Sequence, residues 1–529
     1  MYSAVQNCVL EFSLHSGKSY KDPFNEVELD VIFEGPNGLK RVVPAFWAGE
    51  NLWKVRFSTP TIGRYSYTTI CSDKENLSLH NQKGKVKVSS YQGKNLLLAH
   101  GPLRISKNRR YLEHIDGTPF FWLADTWWMG LCKRLTWPED FQILTQDRVS
   151  KGFTVIQLIA GLYPDMPAFD ERGANEAGFP WEKSYTRINP AYFDMADLRI
   201  EYLVHAGLLP CIVGCWGYFL PWMGIEKMKK HWRYLIARYG AYPVVWCLAG
   251  EGIMPYYLST NKEKDINIQK KGWTEIARYV RQTDPYHHPV TIHPTDCSHN
   301  QVEDISLIDF DMLQTGHGDR DAIPNHVNRV VESVNRKPRL PVLVGEVCYE
   351  GIMGASWENI QRFMFWSSIL SGACGHTYGA NGIWQVNTHQ KPFGPSPHGH
   401  SWGDMAWEDA YLLAGSTQMG IAKRLLERYP WWRLEPHPEW VKPHWNSKNY
   451  LACYAAGIPG KLRIIFIPVQ VGTPIIKELE PEVTYQAFYY DPRNGKEYSL
   501  GIVKPNENGE WTAPIFPIFQ DRILVFEKE

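Results

Sequence analysis

A (β/α)8 barrel flanked by an N-terminal and a C-terminal β-sandwich is the fold the sequence predicts, an α/β architecture resting on three observations. The first hundred residues and the last hundred alternate polar and apolar side chains with the period of strands. Between them, short apolar runs alternate with longer helical stretches, the rhythm of parallel β-α units. Eight such runs share about 300 residues, which suits a closed barrel better than an open doubly wound sheet. The 529 residues exceed what one core holds, and at about 150 residues per domain they predict three units. The expected limits are 1–98, 99–425 and 426–529.

In the first unit, strands are read at Val27–Phe33, Leu52–Phe57 and Arg64–Ile70, with turns at Gly35–Gly38 and Pro60–Gly63. Gly84–Ser90 closes a small antiparallel sandwich, and Gly93–Gly101 is the link onward. The eight barrel strands are expected at Pro119–Ala124, Phe153–Ile159, Leu208–Val213, Val244–Leu248, Pro289–Ile292, Phe310–Gln314, Leu340–Val344 and Gly372–Tyr378. Helices are expected at Trp137–Arg148, Pro190–His205, Lys227–Tyr239, Gln269–Thr283 and Asn325–Asn335. Pro138 and the acidic pair after it suit a helix N-terminus. The strand period returns at Tyr450–Ala455, Lys461–Ile467, Thr484–Tyr490, Trp511–Pro514 and Arg522–Phe526, with a turn at Asp491–Gly495. Both sandwiches are expected to pack on the barrel and to wall its pocket.

Charge excludes several classes of partner. Fifty-six Lys and Arg balance 56 Asp and Glu, so there is no net basic field to hold nucleic acid or an anionic membrane. No uncharged apolar run reaches the 18 residues a membrane span needs, and the first thirty residues are too interrupted by charge for an export signal. The ten cysteines are scattered without a CxxC and read as reduced thiols of a cytoplasmic protein. No glycine-rich phosphate loop follows the first strand, and no GxSxG nucleophile turn occurs. His293, His317, His398 and His400 lack the spacing of a metal site, so neither metal nor other cofactor is expected.

The chemistry is read at the C-terminal ends of the barrel strands, where (β/α)8 proteins place reactive side chains. Those positions carry Asp125, Trp127 and Trp128, then Gln157, Trp216, Glu251, His293, Gln314, His317, Glu346, Tyr378 and Asn381. Glu251 and Glu346 each close an apolar strand and follow a glycine. One strand-end glutamate would read as an ion-pair partner or a helix cap. A pair on strands four and seven can face each other across the mouth, as glycosidic cleavage requires, with one carboxyl protonated as acid and one ionised as nucleophile. Asp125 either holds sugar hydroxyls or caps its loop. Tyr378 either donates to the nucleophile or packs the barrel end, and Glu350 reads as a loop salt bridge. The 22 tryptophans supply stacking platforms among core residues, with Trp127, Trp128, Trp216, Trp384 and Trp402 the candidates.

Phe121–Trp128, Lys151–Gln157, Ala249–Glu251 and Val344–Gly351 together resemble the apiosidase-like glycoside hydrolases of the retaining (β/α)8 superfamily. The N-terminal unit resembles the Ig-like domain often fused ahead of that barrel. The C-terminal one resembles a small sandwich described as collagen-binding, a label not carried over as an activity. The resemblance implies that Glu251 is the acid/base and Glu346 the nucleophile. One departure is Gly250, where many superfamily members have Asn, so that residue's contact to a substrate 2-hydroxyl is missing or supplied elsewhere.

The resulting expectation is a retaining exo-glycosidase cleaving a terminal sugar from a small neutral glycoside or plant-derived oligosaccharide. The rival is a non-catalytic carbohydrate-binding protein on the same scaffold, against which the retention of both glutamates argues. The expected partner is the small-molecule glycoside, with no nucleic acid and no membrane; a homo-oligomer stays open.

Overall fold

Eight parallel strands encircle the centre of the molecule in a computed structural model that describes residues 1–529. They are β1 Trp122–Thr126, β2 Val155–Ile159, β3 Leu209–Val213, β4 Val245–Cys247, β5 Val290–Thr291, β6 Asp311–Gln314, β7 Val342–Glu346 and β8 Gly375–Tyr378. The hydrogen-bonded order is β5-β4-β3-β2-β1-β8-β7-β6, the ring of a TIM barrel. All five residues of β2, β3 and β7 are buried, because a parallel sheet is covered on both faces.

The ladder breaks between β5 and β6, and side chains close that seam. The Asp309 carboxylate accepts the Val290 N–H at 2.8 Å, and the Thr291 hydroxyl donates to the Phe310 carbonyl at 2.9 Å. The same crossover is the one without an α-helix; it holds only the 3-10 turns Ser298–Asn300 and Ile305–Leu307. The other crossovers carry α1 Glu139–Ser150, α2 Pro190–His205, α3 Ile225–Tyr239, α4 Lys262–Thr283, α5 Ile323–Asn335 and α6 Glu358–Leu370, and α7 Ala414–Leu426 follows β8. Their starts follow sequence signals: Glu139 and Asp140 in the first turn of α1, Pro190 opening α2, and Asn261 capping α4 by accepting the Lys264 N–H at 3.2 Å.

The first barrel strand lies three residues later than its apolar run suggests. Pro119–Phe120 pair instead with Leu112–His114, which pair with Leu103–Ile105 in a small antiparallel sheet leading into the barrel.

At the N-terminus a five-stranded sheet, ordered Tyr2–Val5, Lys83–Ser89, Gly63–Cys71, Leu29–Glu34, Lys40–Pro44, faces a three-stranded one of Leu10–His15, Leu52–Phe57 and Phe46–Trp47. Phe33 and Phe57 stack between them at 4.0 Å. The sandwich is not wholly antiparallel, because Tyr2–Val5 runs parallel to Lys83–Ser89, which is therefore an inner strand. Arg56 ties this unit to the barrel through Asp197 of α2 at 2.5 Å and the Arg238 carbonyl of α3 at 2.8 Å, all in buried surroundings.

At the C-terminus, six antiparallel strands centre on Leu462–Ile467 and Arg522–Lys528. This sheet is apolar on both faces. Ile465 and Ile467 enter its own sandwich core, whereas Ile464 and Phe466 join the barrel core, where Phe363 of α6 meets Phe466 edge-on at 5.7 Å. A buried bidentate pair, Arg362 to Asp521 at 2.7 Å, fastens the same contact. Both flanking units thus pack on the barrel helices, the N-terminal one also on Trp181 and Thr186 in the loop after β2. No helix is long and apolar enough to cross a membrane.

Candidate active site

Glu251 and Glu346 meet across the mouth of the barrel. Glu346 is the last residue of β7; Glu251 follows β4 in a left-handed conformation, φ +42°, of the kind a non-glycine residue adopts only under constraint. Gln314 at the end of β6 bridges them: its Nε2 donates to Glu251 Oε1 at 3.0 Å and to Glu346 Oε1 at 3.2 Å. His317 Nε2 bonds Glu346 Oε1 at 2.8 Å, and His293 Nε2 lies 3.3 Å from Oε2.

These surroundings drive the two carboxyls apart in acidity. Burial, reinforced by the Glu346 charge, pushes Glu251 up to about 7. Burial acts in the same direction on Glu346, but the His293 and His317 imidazoles against its two oxygens outweigh it and hold that carboxyl down at about 2. Below about pH 7 the arrangement therefore favours one protonated and one ionised carboxyl side by side.

A cavity of about 320 Å³ opens over the pair. Of the residues expected to contact substrate, Trp128, Trp216, Gln314, His317 and Trp384 line it. Tyr349 lines it too and was missed by sequence reasoning, although it stands three residues past Glu346. Its ring packs against His317 at 4.8 Å and stacks on Trp384 at 5.7 Å, while its hydroxyl accepts the Trp128 indole N–H at 2.9 Å. Asp165 after β2, Met254 and Tyr257 after β4, and His398 and Trp402 after β8 complete much of the wall. Neither flanking sandwich contributes a lining residue, which corrects the expectation that they would, and no Lys or Arg does either.

Six expected substrate contacts lie outside the wall. Asp125 is fully buried; its carboxylate accepts from Arg148 of α1 at 2.6 Å and from the Trp127 indole at 2.7 Å, so Asp125 and Trp127 face the helices. Tyr378, paired in register with Asp125, also faces outward and donates to Glu350, not to the nucleophile. Glu350 in turn accepts the Gly415 N–H at 3.1 Å; it forms no loop salt bridge, and burial pushes it up to about 7. Gln157 is buried, donating to the Gly345 carbonyl at 3.0 Å. His293 is fully buried behind Glu346, and Asn381 is buried beneath Gly403. Because Asp125 and Arg148 are both desolvated, Asp125→Ala should cost about 3 kcal/mol by leaving Arg148 Nε and the Trp127 indole without an acceptor, the guanidinium keeping only Asp147 and the Tyr411 carbonyl. Chemical denaturation reads this directly; a variant of unchanged stability and raised KM would return Asp125 to the substrate site.

Gly250 has a local cause. The Trp216 ring lies against its backbone, and a Cβ there would sit 2.1 Å from ring carbons. A larger residue before Glu251 would displace a pocket-lining indole.

A family model described as an apiosidase-like catalytic domain matches residues 106–433, and one described as a domain of unknown function (DUF5060) matches residues 6–72. Among solved structures, one described as a glycoside hydrolase is 23% identical, covering 81% of this chain and 97% of its own, with a TM-score of 0.67. A glycoside hydrolase family 5 structure from Bacteroides vulgatus ATCC 8482 is 21% identical over 81% and 94%, at 0.66. Another structure from that organism, 16% identical, covers 100% of both chains at 0.69. At these identities the likeness is one of fold. No curated protein sequence matches the chain.

Proposed function

Because this chain belongs to the apiosidase-like family and is a glycoside hydrolase, we propose that it removes a terminal sugar from a small neutral glycoside with retention of configuration, Glu251 serving as acid/base and Glu346 as nucleophile. The observation that carries this reading is the Gln314 bridge. Two bonds of 3.0 and 3.2 Å to one nitrogen hold the bonded oxygens no farther apart than the sum of those lengths. An amide directs its two N–H groups about 120° apart, which puts the oxygens roughly 5 Å from each other. That supports double displacement, for which the carboxyls stand about 5–5.5 Å apart, over inversion, for which they stand about 6.5–9.5 Å apart.

In the first step Glu346 attacks the anomeric carbon while Glu251 gives its proton to the departing oxygen. In the second, ionised Glu251 takes a proton from water, which displaces Glu346 and restores both groups. A cavity without Lys or Arg over the two glutamates supports a neutral sugar, since a uronate would bring its carboxylate beside Glu346 with no Lys or Arg to meet it.

Turnover of a panel of nitrophenyl pyranosides and furanosides, including apiose, arabinofuranose, galactofuranose, xylose and glucose, tests the reading. NMR of the first-formed anomer should show retention; inversion, or no turnover of any glycoside, overturns it. The pH dependence follows from the two carboxyls. Catalysis needs Glu251 protonated and Glu346 ionised, so kcat/KM should hold on the acid side and fall as pH rises through about 7. A profile still rising above pH 8 would remove Glu251 from the acid role.

A further inference from the structure

We propose that Asp165 is a specificity-determining positioning residue that joins the loops after β4 and β8, its backbone N–H holding Tyr257 and its carboxylate holding Ser396 and Trp402, closing one end of the pocket so that only a chain terminus reaches Glu251 and Glu346. The inference rests on the exo-glycosidase reading above and names what in the chain enforces it.

Asp165 lies in the loop after β2, is only 6% exposed, and has no Lys or Arg partner. A buried carboxylate without a cation is costly, and here neutral donors from the β8 loop compensate. From the β8 loop, Ser396 Oγ donates to Oδ1, and the Trp402 indole reaches the same oxygen at 3.5 Å and Ser396 Oγ at 3.3 Å. From the β4 loop, the Tyr257 hydroxyl accepts the Asp165 backbone N–H at 3.2 Å. Asp165 adopts φ +58°, a left-handed conformation that aspartate tolerates better than most residues but that still stores strain beside the reacting groups.

The groups joined in this way are wall residues. His398 packs edge-on against Tyr257 at 5.0 Å and lies 6.4 Å from Trp402, and all three line the cavity with Asp165. Other anchors hold the same loop farther out. Arg172 donates to the Phe393 and Pro395 carbonyls at 3.2 and 3.1 Å and covers the Phe393 ring at 4.6 Å. The outer loop therefore stays attached when Asp165 is removed, and the clasp governs only the segment over the pocket.

Asp165 has a second effect, on Glu251. The titratable groups facing Glu251 are Glu346, Asp165, His317 and His293, whose Nδ1 accepts the Glu251 backbone N–H at 3.5 Å, with Tyr218, Tyr257 and Tyr349 around them. After burial and Glu346, the Asp165 charge adds to what keeps Glu251 protonated. Removing that charge makes Glu251 easier to ionise.

The test compares wild type with D165N, D165A and S396A on the nitrophenyl glycoside the wild type hydrolyses best and on a linear oligosaccharide of the same sugar, with products sized by chromatography. D165A should raise KM for the nitrophenyl glycoside on the order of tenfold and yield internal-cleavage products that wild type does not. D165N keeps Oδ1 as an acceptor, so it should keep terminal-only cleavage while the alkaline limb of kcat/KM moves to lower pH. S396A, which leaves every carboxylate in place, should loosen the end wall without moving that limb. Terminal-only cleavage by both D165A and S396A, or an unmoved limb in D165N, overturns the proposal. Wild type that hydrolyses no glycoside, or inverts, overturns the underlying reading instead.

Discussion

Replacing Glu346 with Gln should abolish turnover of every glycoside, whatever its leaving group. The nucleophile forms the covalent intermediate through which both steps pass, so its loss should cost on the order of 5 kcal/mol in the barrier, about four powers of ten in kcat. The fold should survive. The amide keeps the size of the carboxyl, and Gln314, His317 and His293 still surround it. Steady-state rates on activated and unactivated substrates, with thermal denaturation as the control, check this. Near-normal turnover by Glu346→Gln would remove it from the reaction and move attention to Asp165, the other carboxylate lining the cavity.

Replacing Glu251 with Gln should instead make the rate depend on the leaving group. A nitrophenolate departs without a proton, so the first step persists for activated substrates and the variant stalls in the second, where general-base help is gone. Substrates with alkyl or sugar leaving groups should lose about 10²–10⁴-fold, the span typical of general acid catalysis. Azide, a nucleophile that needs no base, should restore turnover of the activated substrates and yield a glycosyl azide of retained configuration. The alkaline limb near pH 7 should disappear with the carboxyl that causes it. Equal loss on all substrates with no azide effect would reverse the assignment of roles.

The two glutamates were legible because each ends a short apolar run and follows a glycine, so barrel topology alone puts both at the mouth. Asp125, Tyr378 and Gln157 were placed by the same rule and lie elsewhere. A parallel strand buried on both faces carries no polar alternation, so nothing in the sequence reveals whether a residue points toward the mouth or toward the helices. A shift of one position decides it, and at Asp125 and Tyr378 it fell toward Arg148 and α1.

Order and type of most elements were therefore legible in the sequence itself: eight strands in turn, helices opened by proline and acidic residues, and a β-sandwich pattern at each end, although α4, expected from Gln269, begins at Lys262 after the Asn261 cap. Only the tertiary structure decided the side of each strand-end residue, the closing of the β5–β6 seam by Asp309 and Thr291, and the assembly of the pocket wall from Asp165, Tyr257, His398 and Trp402. Periodicity is a property of neighbours along the chain and survives in the sequence. The meeting of loops after β2, β4 and β8 depends on ring closure, which brings together residues separated by as many as 237 positions and leaves no local pattern from which to read it.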